Sequence, residues 1–130
     1  YLRNERDPAQ PQFEPALFVK SQVISVSAGH AVCDAGLKAH AVDSGLPEVH
    51  ALPGQPPLRF ASGGDEHGVL NPLDAGGPLS NLPALGETVW LIPGHCDPTV
   101  NLHSHLVVVR DGIAAGRVES VVPVMARGVW

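Results

Sequence analysis

The sequence predicts a mainly β domain, a small barrel or a sandwich. Three observations carry that prediction. Short runs rich in β-branched residues recur along the chain, and no stretch shows helical amphipathicity. Thirteen prolines and fourteen glycines are spread over 130 residues, enough to interrupt most helices. Apolar residues make up 44% of the chain and charged residues 16%, a balance that buries a core and does not remain disordered. The length suits one domain or a piece of a larger protein.

Taken in order, residues 1 to 12 hold Asp7-Pro8, Pro11 and several charges, a polar lead-in. The run from Ala16 to Ser27 has no helical period and reads as a long strand, kinked near Ser21. His30 to Asp34 reads as a second, shorter strand ending at Asp34-Ala35-Gly36; Leu37 to His40 either continues it or begins a helical turn. Residues 43 to 58 carry Gly45, Pro47, Pro53, Gly54, Pro56 and Pro57, which leaves room for one short strand at most. Leu58 to Ser62 and His67 to Leu70 flank Gly63-Gly64-Asp65 and read as a hairpin. Residues 71 to 87 are again rich in proline and glycine, and Leu82 to Glu87 reads as the turn into a strand, Thr88 to Ile92. Leu106 to Arg110, the turn Asp111-Gly112 and Arg117 to Val124 form a C-terminal hairpin, with a bulge expected around Ala114 to Gly116. Pro123 marks an edge or a strand end. The total is six to eight short strands.

Charge narrows the partners. Eight Lys and Arg against thirteen Asp and Glu give a net charge of −5, with no basic cluster, which argues against nucleic acid or an anionic membrane. No apolar run reaches transmembrane length. The chain opens Tyr-Leu-Arg-Asn without a signal peptide or an initiator Met, as a chain does when it begins inside a longer gene product or has been trimmed. Two cysteines, Cys33 and Cys96, make no disulfide framework and read as reduced thiols of a cytoplasmic protein.

The stretch richest in chemistry is Pro93 to Leu102, between two apolar runs. An extended segment projects residues two apart to one side, and Pro98 disfavours helical angles at Asp97. His95 and Asp97 are therefore expected to point together and Cys96 away, which makes half of a divalent-metal site. The bland alternative is a surface loop whose aspartate caps a turn. The other histidines, His30, His40, His50, His67, His103 and His105, raise the interest in metal or proton transfer. His103 and His105 are expected on one strand face; each histidine alone is most simply a satisfied ring. Asp65-Glu66-His67 could form an acid/base group or a charged hairpin turn. Asp34 and Lys38 could pair across a tight turn. Lys20 and Lys38, the only lysines, sit in no evident apolar pocket that would favour Schiff-base chemistry.

Val32-Cys33-Asp34-Ala35-Gly36-Leu37-Lys38-Ala39, Asp65-Glu66-His67-Gly68, the Pro93 to Leu102 block and Pro123-Val124-Met125-Ala126-Arg127-Gly128 occur in that order. With them the whole chain, residues 1 to 130, resembles the C-terminal β domain of the D-threonine aldolase / D-serine dehydratase family, metal-dependent pyridoxal phosphate (PLP) enzymes of alanine-racemase type. The resemblance implies an N-terminal TIM-type barrel that carries the PLP lysine. Such a barrel takes roughly 250 residues and is not in this sequence. It implies His95 and Asp97 as the two protein ligands of a divalent metal. Dehydratase-type relatives have cysteine at the second position; here that position is Asp97 and Cys96 falls one residue early, which favours the aldolase type. A carboxylate oxygen there makes Mn²⁺ or Mg²⁺ more plausible than Zn²⁺. Asp34, Lys38, Glu66 and His67 are implied as neighbours of the active site, without assigned roles.

The activity so implied is cleavage of a small D-3-hydroxy amino acid to glycine and an aldehyde. PLP acts as electron sink and the metal as Lewis acid on the 3-hydroxyl. The 130 residues alone are expected to be inactive, and the full enzyme a homodimer. Two alternatives stand beside this reading. One is D-serine dehydratase-type deamination to a 2-oxo acid and ammonia; the other is a non-enzymatic module that binds a metal or a partner.

Overall fold

The computed structural model describes residues 9, 11, 13–73 and 82–128. Most of the polar lead-in, residues 74–81 of the second Pro/Gly-rich stretch, and residues 129–130 lie outside the described residues.

Alternation builds the sheet. β1 (Val19–Val26) buries Val19, Ser21 and Val23 and turns Lys20 and Gln22 outward, the two-residue period of a strand with one face on a core. β4 (Leu58–Ser62) buries Leu58 and Phe60, β5 (Gly68–Pro72) buries Leu70, and β6 (Thr88–Ile92) buries Val89 and Leu91 in the same rhythm. β2 (Ala31–Cys33) and β3 (Glu48–His50) are three-residue strands. The six pair antiparallel in the order β3-β6-β1-β2-β5-β4. The end strands β3 and β4 approach each other, so the sheet curls into a nearly closed barrel. The inward residues are mostly valine, leucine and alanine, with Phe60 the one aromatic ring among the buried apolar residues. Leu70 and Leu91 are fully buried, and each such side chain contributes about 1.5–3 kcal/mol relative to exposure. Outside the barrel, Phe18 packs edge-on against His50 at 5.1 Å and Trp90 at 6.4 Å between ring centres.

The described chain thus has eight strands, and the mainly β reading with barrel-like closure holds. After the barrel comes α1 (Cys96–Asn101). A separate ribbon of β7 (His105–Arg110) and β8 (Arg117–Pro123) follows. Val107 and Val121 face each other across this ribbon and are each 57% exposed; Val118, opposite Val109, is 58% exposed.

Local expectations needed correction. Residues 96–101 are helical, so Asp97 does take up helical angles ahead of Pro98. Proline lacks only an N–H that the first turn leaves unpaired in any case, and its bias on the preceding residue is a preference that context overrides. The irregularity in β1 falls between Val23 and Ser25, at Ile24 and not at Ser21. The bulge of the ribbon lies in β8 at Glu119, where Ser120 pairs with Val108 and Val118 with Val109, and not at Ala114 to Gly116. Leu37 to Ala39 form a turn, closed by the Ala39 N–H to the Gly36 carbonyl at 2.9 Å. His103 precedes β7 and does not share a strand face with His105.

Candidate metal centre

β6 leaves the barrel at Ile92, and Pro93-Gly94 carries the chain to His95 at the start of α1. His95 has extended angles, φ −144° and ψ 121°, and is the N-cap. Asp97 is the second residue of the helix. Side chains at a helix start tilt toward its N-terminus, so Asp97 leans back over His95. His95 Nε2 and Asp97 Oδ2 lie 3.5 Å apart. The two groups do converge, through the helix start and not through an extended loop. Cys96 is exposed between them in sequence.

The other ring nitrogen is engaged. His95 Nδ1 lies 2.6 Å from Asp43 Oδ2, a residue 52 positions away. An ionised carboxylate only accepts hydrogen bonds, so the proton sits on Nδ1 and the imidazole donates it. Asp43 stays ionised: the hydrogen bond from His95 holds its pKa below the usual carboxylate value, against a smaller rise from burial. The same bond holds the His95 pKa above its usual value; burial opposes this, and the charges of Asp43 and Asp97 add to the rise.

Packing brings Asp43 there. A Cβ on Gly94 would stand 2.7 Å from the Gly45 carbonyl oxygen, so only glycine lets the two loops lie this close. Gly45 itself turns the chain at φ 110°, a conformation L side chains rarely adopt. Buried Thr99 joins the same loops: its hydroxyl donates to the His95 carbonyl at 2.7 Å and accepts the Ala41 N–H at 3.1 Å. His103 Nε2–H donates to the Ala39 carbonyl at 2.8 Å. Residues 39 to 45 and 94 to 103 are thus tied at four successive points, running in opposite directions.

The pair opens into a groove. Its walls include Leu17, Leu46 and Ile92, and its rim carries Glu14 and Glu48 besides Asp43 and Asp97. Asp97 is 91% exposed as a side chain, so its carboxylate is available to a ligand.

A divalent ion suits this geometry. His95 Nε2 and Asp97 Oδ2, 3.5 Å apart, are close enough that the two could hold one ion between them. One imidazole nitrogen and one carboxylate oxygen accept Zn²⁺ or a harder ion such as Mn²⁺. Among the described residues no three His, Cys, Asp or Glu side chains converge on one point. Asp43 approaches the far side of the ring and cannot share an ion with Nε2. The site is a pair, and the remaining coordination positions would fall to water, substrate or another part of the protein.

The other candidate residues lie off the groove wall. Lys38 Nζ pairs with Glu66 Oε1 at 2.8 Å, both well exposed. The hydrogen bond to Glu66 holds Lys38 above its usual pKa, and the bond from Lys38 holds Glu66 below its own, so the lysine stays protonated. Asp34 Oδ1 accepts the Ser21 hydroxyl at 2.7 Å and the Gln22 N–H at 2.9 Å. Partial burial alone would raise the Asp34 pKa; these bonds outweigh it and hold it low. The His67 backbone closes the β4–β5 loop through the Gly63 N–H. His40 is a core residue, 1% exposed, edge-on to Phe60 at 5.1 Å, with both ring nitrogens unpaired among the described residues. Burial lowers its pKa, so it is neutral. His30 lies 3.2 Å from the Ser27 hydroxyl. Neither lysine fits a PLP Schiff base, since Lys20 points outward from β1 and Lys38 is held by Glu66.

Asp43 was the residue that sequence reading missed. The signals were the glycines Gly45 and Gly94, one in each loop, but nothing in the order of residues says that they meet.

Comparison with known proteins aligns with this architecture. A family model described as a serine dehydratase domain matches residues 16–109. A 3-hydroxy-D-aspartate aldolase from Paracoccus denitrificans is 45% identical over 92% of the chain, which spans 28% of that relative's length. The crystal structure of a D-threonine aldolase from Filomicrobium marinum superposes with a TM-score of 0.76 at 43% identity, over 91% of this chain and 30% of that one. The metal-free C353A mutant of a D-threo-3-hydroxyaspartate dehydratase superposes at 0.65 with 25% identity, over 82% of this chain and 31% of that one. Among the described residues no helix is long and apolar enough to cross a membrane.

Proposed function

The chain belongs to the serine dehydratase domain family, and from that premise we propose that it is the metal-binding β domain of a PLP-dependent lyase that cleaves D-3-hydroxy amino acids by the aldolase route. The observation that carries the reading is the His95 Nε2 to Asp97 Oδ2 pair, 3.5 Å apart on an open groove. The aldolase preference rests on Asp97 at the second ligand position and on the higher identity to the aldolases, 45% and 43%, than to the dehydratase, 25%.

In this reading His95 contributes a neutral nitrogen lone pair and Asp97 the one negative charge of the pair. Bound there, a divalent ion supplies Lewis-acid polarisation that lowers the pKa of a substrate hydroxyl. Glu14 and Glu48 add negative potential along the groove and raise the local concentration of cations. The PLP lysine and phosphate site belong to a larger N-terminal part, because neither lysine here suits them. The ribbon valines left uncovered in this domain support packing against that part. Unpaired Cys33 and Cys96 support a reducing compartment, the cytoplasm.

The test is made in the full-length protein. Asp97→Ala is expected to remove most Mn²⁺-dependent turnover of D-threonine while the PLP absorbance persists. Cys96→Ser is expected to leave metal dependence intact. Equal metal loss in both variants would replace the pair by His95 with Cys96. Products separate the routes: glycine and an aldehyde for the aldolase, a 2-oxo acid and ammonia for the dehydratase.

A further inference from the structure

We propose that Asp43 is a positioning residue of the metal site: it holds the His95 ring so that Nε2 faces Asp97 with its lone pair free. The inference rests on His95 and Asp97 being the ligand pair and adds a third residue that does not touch the ion.

A neutral imidazole carries its proton on one of two nitrogens, and only the other can bind a metal. Asp43 Oδ2, 2.6 Å from Nδ1, fixes the proton on that side. Rotation about the Cβ–Cγ bond is also checked, because a flipped ring would turn a carbon toward Asp43. A surface ion pair alone would hold a ring weakly. Here the carboxylate is itself held. Ser44 donates its hydroxyl to Asp43 Oδ2 at 3.3 Å. Two residues before Asp43, Ala41 is bonded to Thr99; two residues after it, Gly45 abuts Gly94. Both flanks are thus fixed to the segment that carries His95. With an ion on Nε2 the arrangement would be a carboxylate–histidine–metal triad, in which loss of the outer partner typically weakens metal binding by about 10–100-fold.

The experiment uses metal-stripped full-length protein and measures the Mn²⁺ dissociation constant from the electron paramagnetic resonance of free Mn²⁺. Asp43 is about half exposed as a side chain, 52%, so its variants should fold. Asp43→Ala is expected to weaken Mn²⁺ binding by about 10–100-fold. Asp43→Asn keeps an acceptor oxygen for Nδ1–H and is expected to bind more tightly than Asp43→Ala. A general loosening of the loop would not be corrected by that acceptor. An alanine effect smaller than about tenfold, or an asparagine variant no tighter than the alanine one, overturns the proposal. His95→Ala separates the two levels. If it leaves Mn²⁺ affinity unchanged, the ligand pair is wrong and the positioning role goes with it. If it abolishes affinity while Asp43→Ala does not, only the positioning role fails.

Discussion

Thr99 holds the candidate site together, and the consequence is measurable. Its side chain is 2% exposed and makes two hydrogen bonds, one donated to the His95 carbonyl and one accepted from the Ala41 N–H. Valine matches threonine in shape but replaces the hydroxyl with a methyl group. Thr99→Val would leave the Ala41 N–H without its acceptor and take one donor from the His95 carbonyl. A buried group left unpaired costs about 1–3 kcal/mol. Thr99→Ser keeps the hydroxyl and removes one methyl, a loss of about 1 kcal/mol. The predicted order of stability is therefore threonine, then serine, then valine, with valine about 1–3 kcal/mol below wild type. Urea unfolding of the protein followed by tryptophan fluorescence reads this as a midpoint shift at constant slope. If serine proves more damaging than valine, packing and not hydrogen bonding holds α1 to the 39–45 loop. The account of how His95 and Asp43 are brought together would then be wrong.

Three further expectations follow from the same loops. Gly94→Ala places a Cβ 2.7 Å from the Gly45 carbonyl oxygen, backbone that cannot step aside cheaply; it should separate Asp43 from His95 and lower both the unfolding midpoint and Mn²⁺ affinity. Metal binding should depend on pH through His95: below its pKa, raised above the ordinary 6.5, a proton occupies Nε2, and apparent affinity should fall about tenfold per pH unit on the acid side. A Mn²⁺ titration flat from pH 5 to 9 would count against His95 as a ligand. For metal-free protein the sign follows from the two shifts. His95 is raised, so its contribution is full below 6.5 and is lost as pH climbs through the raised value. Asp43 is lowered, so its contribution is present above 3.8 and is lost as pH falls through the lowered value. Thermal unfolding of the metal-free protein should therefore peak between those limits as far as this pair is concerned.

The strands were legible because their signals are local. Val19, Ser21 and Val23 alternate with outward residues, as do Leu58 with Phe60 and Val89 with Leu91, and the last two runs stop directly before Gly63 and Pro93. The short helix was not legible. Six residues give no amphipathic period, and Pro98 argues against helix at Asp97 in the sequence although the first turn accommodates it. Strand closure and the loop contact were hidden for another reason. They depend on pairs such as Asp43 with His95, 52 residues apart, and a single sequence does not record which distant residues meet. The family-like stretches around Asp34, Lys38, Glu66 and His67 were legible as blocks, but Lys38 and Glu66 pair with each other, Asp34 ties its turn to β1, and His67 closes the β4–β5 loop through its backbone.

The exposure of the pair has its own logic. A structural metal site closes its coordination shell with protein atoms. Here an aspartate 91% exposed and a histidine 42% exposed offer two atoms and leave the rest open. If the two hold an ion as proposed, so few bonds would hold it weakly, and any freedom in the His95 ring would be lost affinity. That accounts for the asymmetry between the two residues. Asp97 is free to meet whatever comes to the groove, while His95 is held through Asp43 by a loop fixed at four points. If His95 and Asp97 hold an ion as proposed, Asp97 would meet it from the open groove while His95 is steadied by the 39–45 loop.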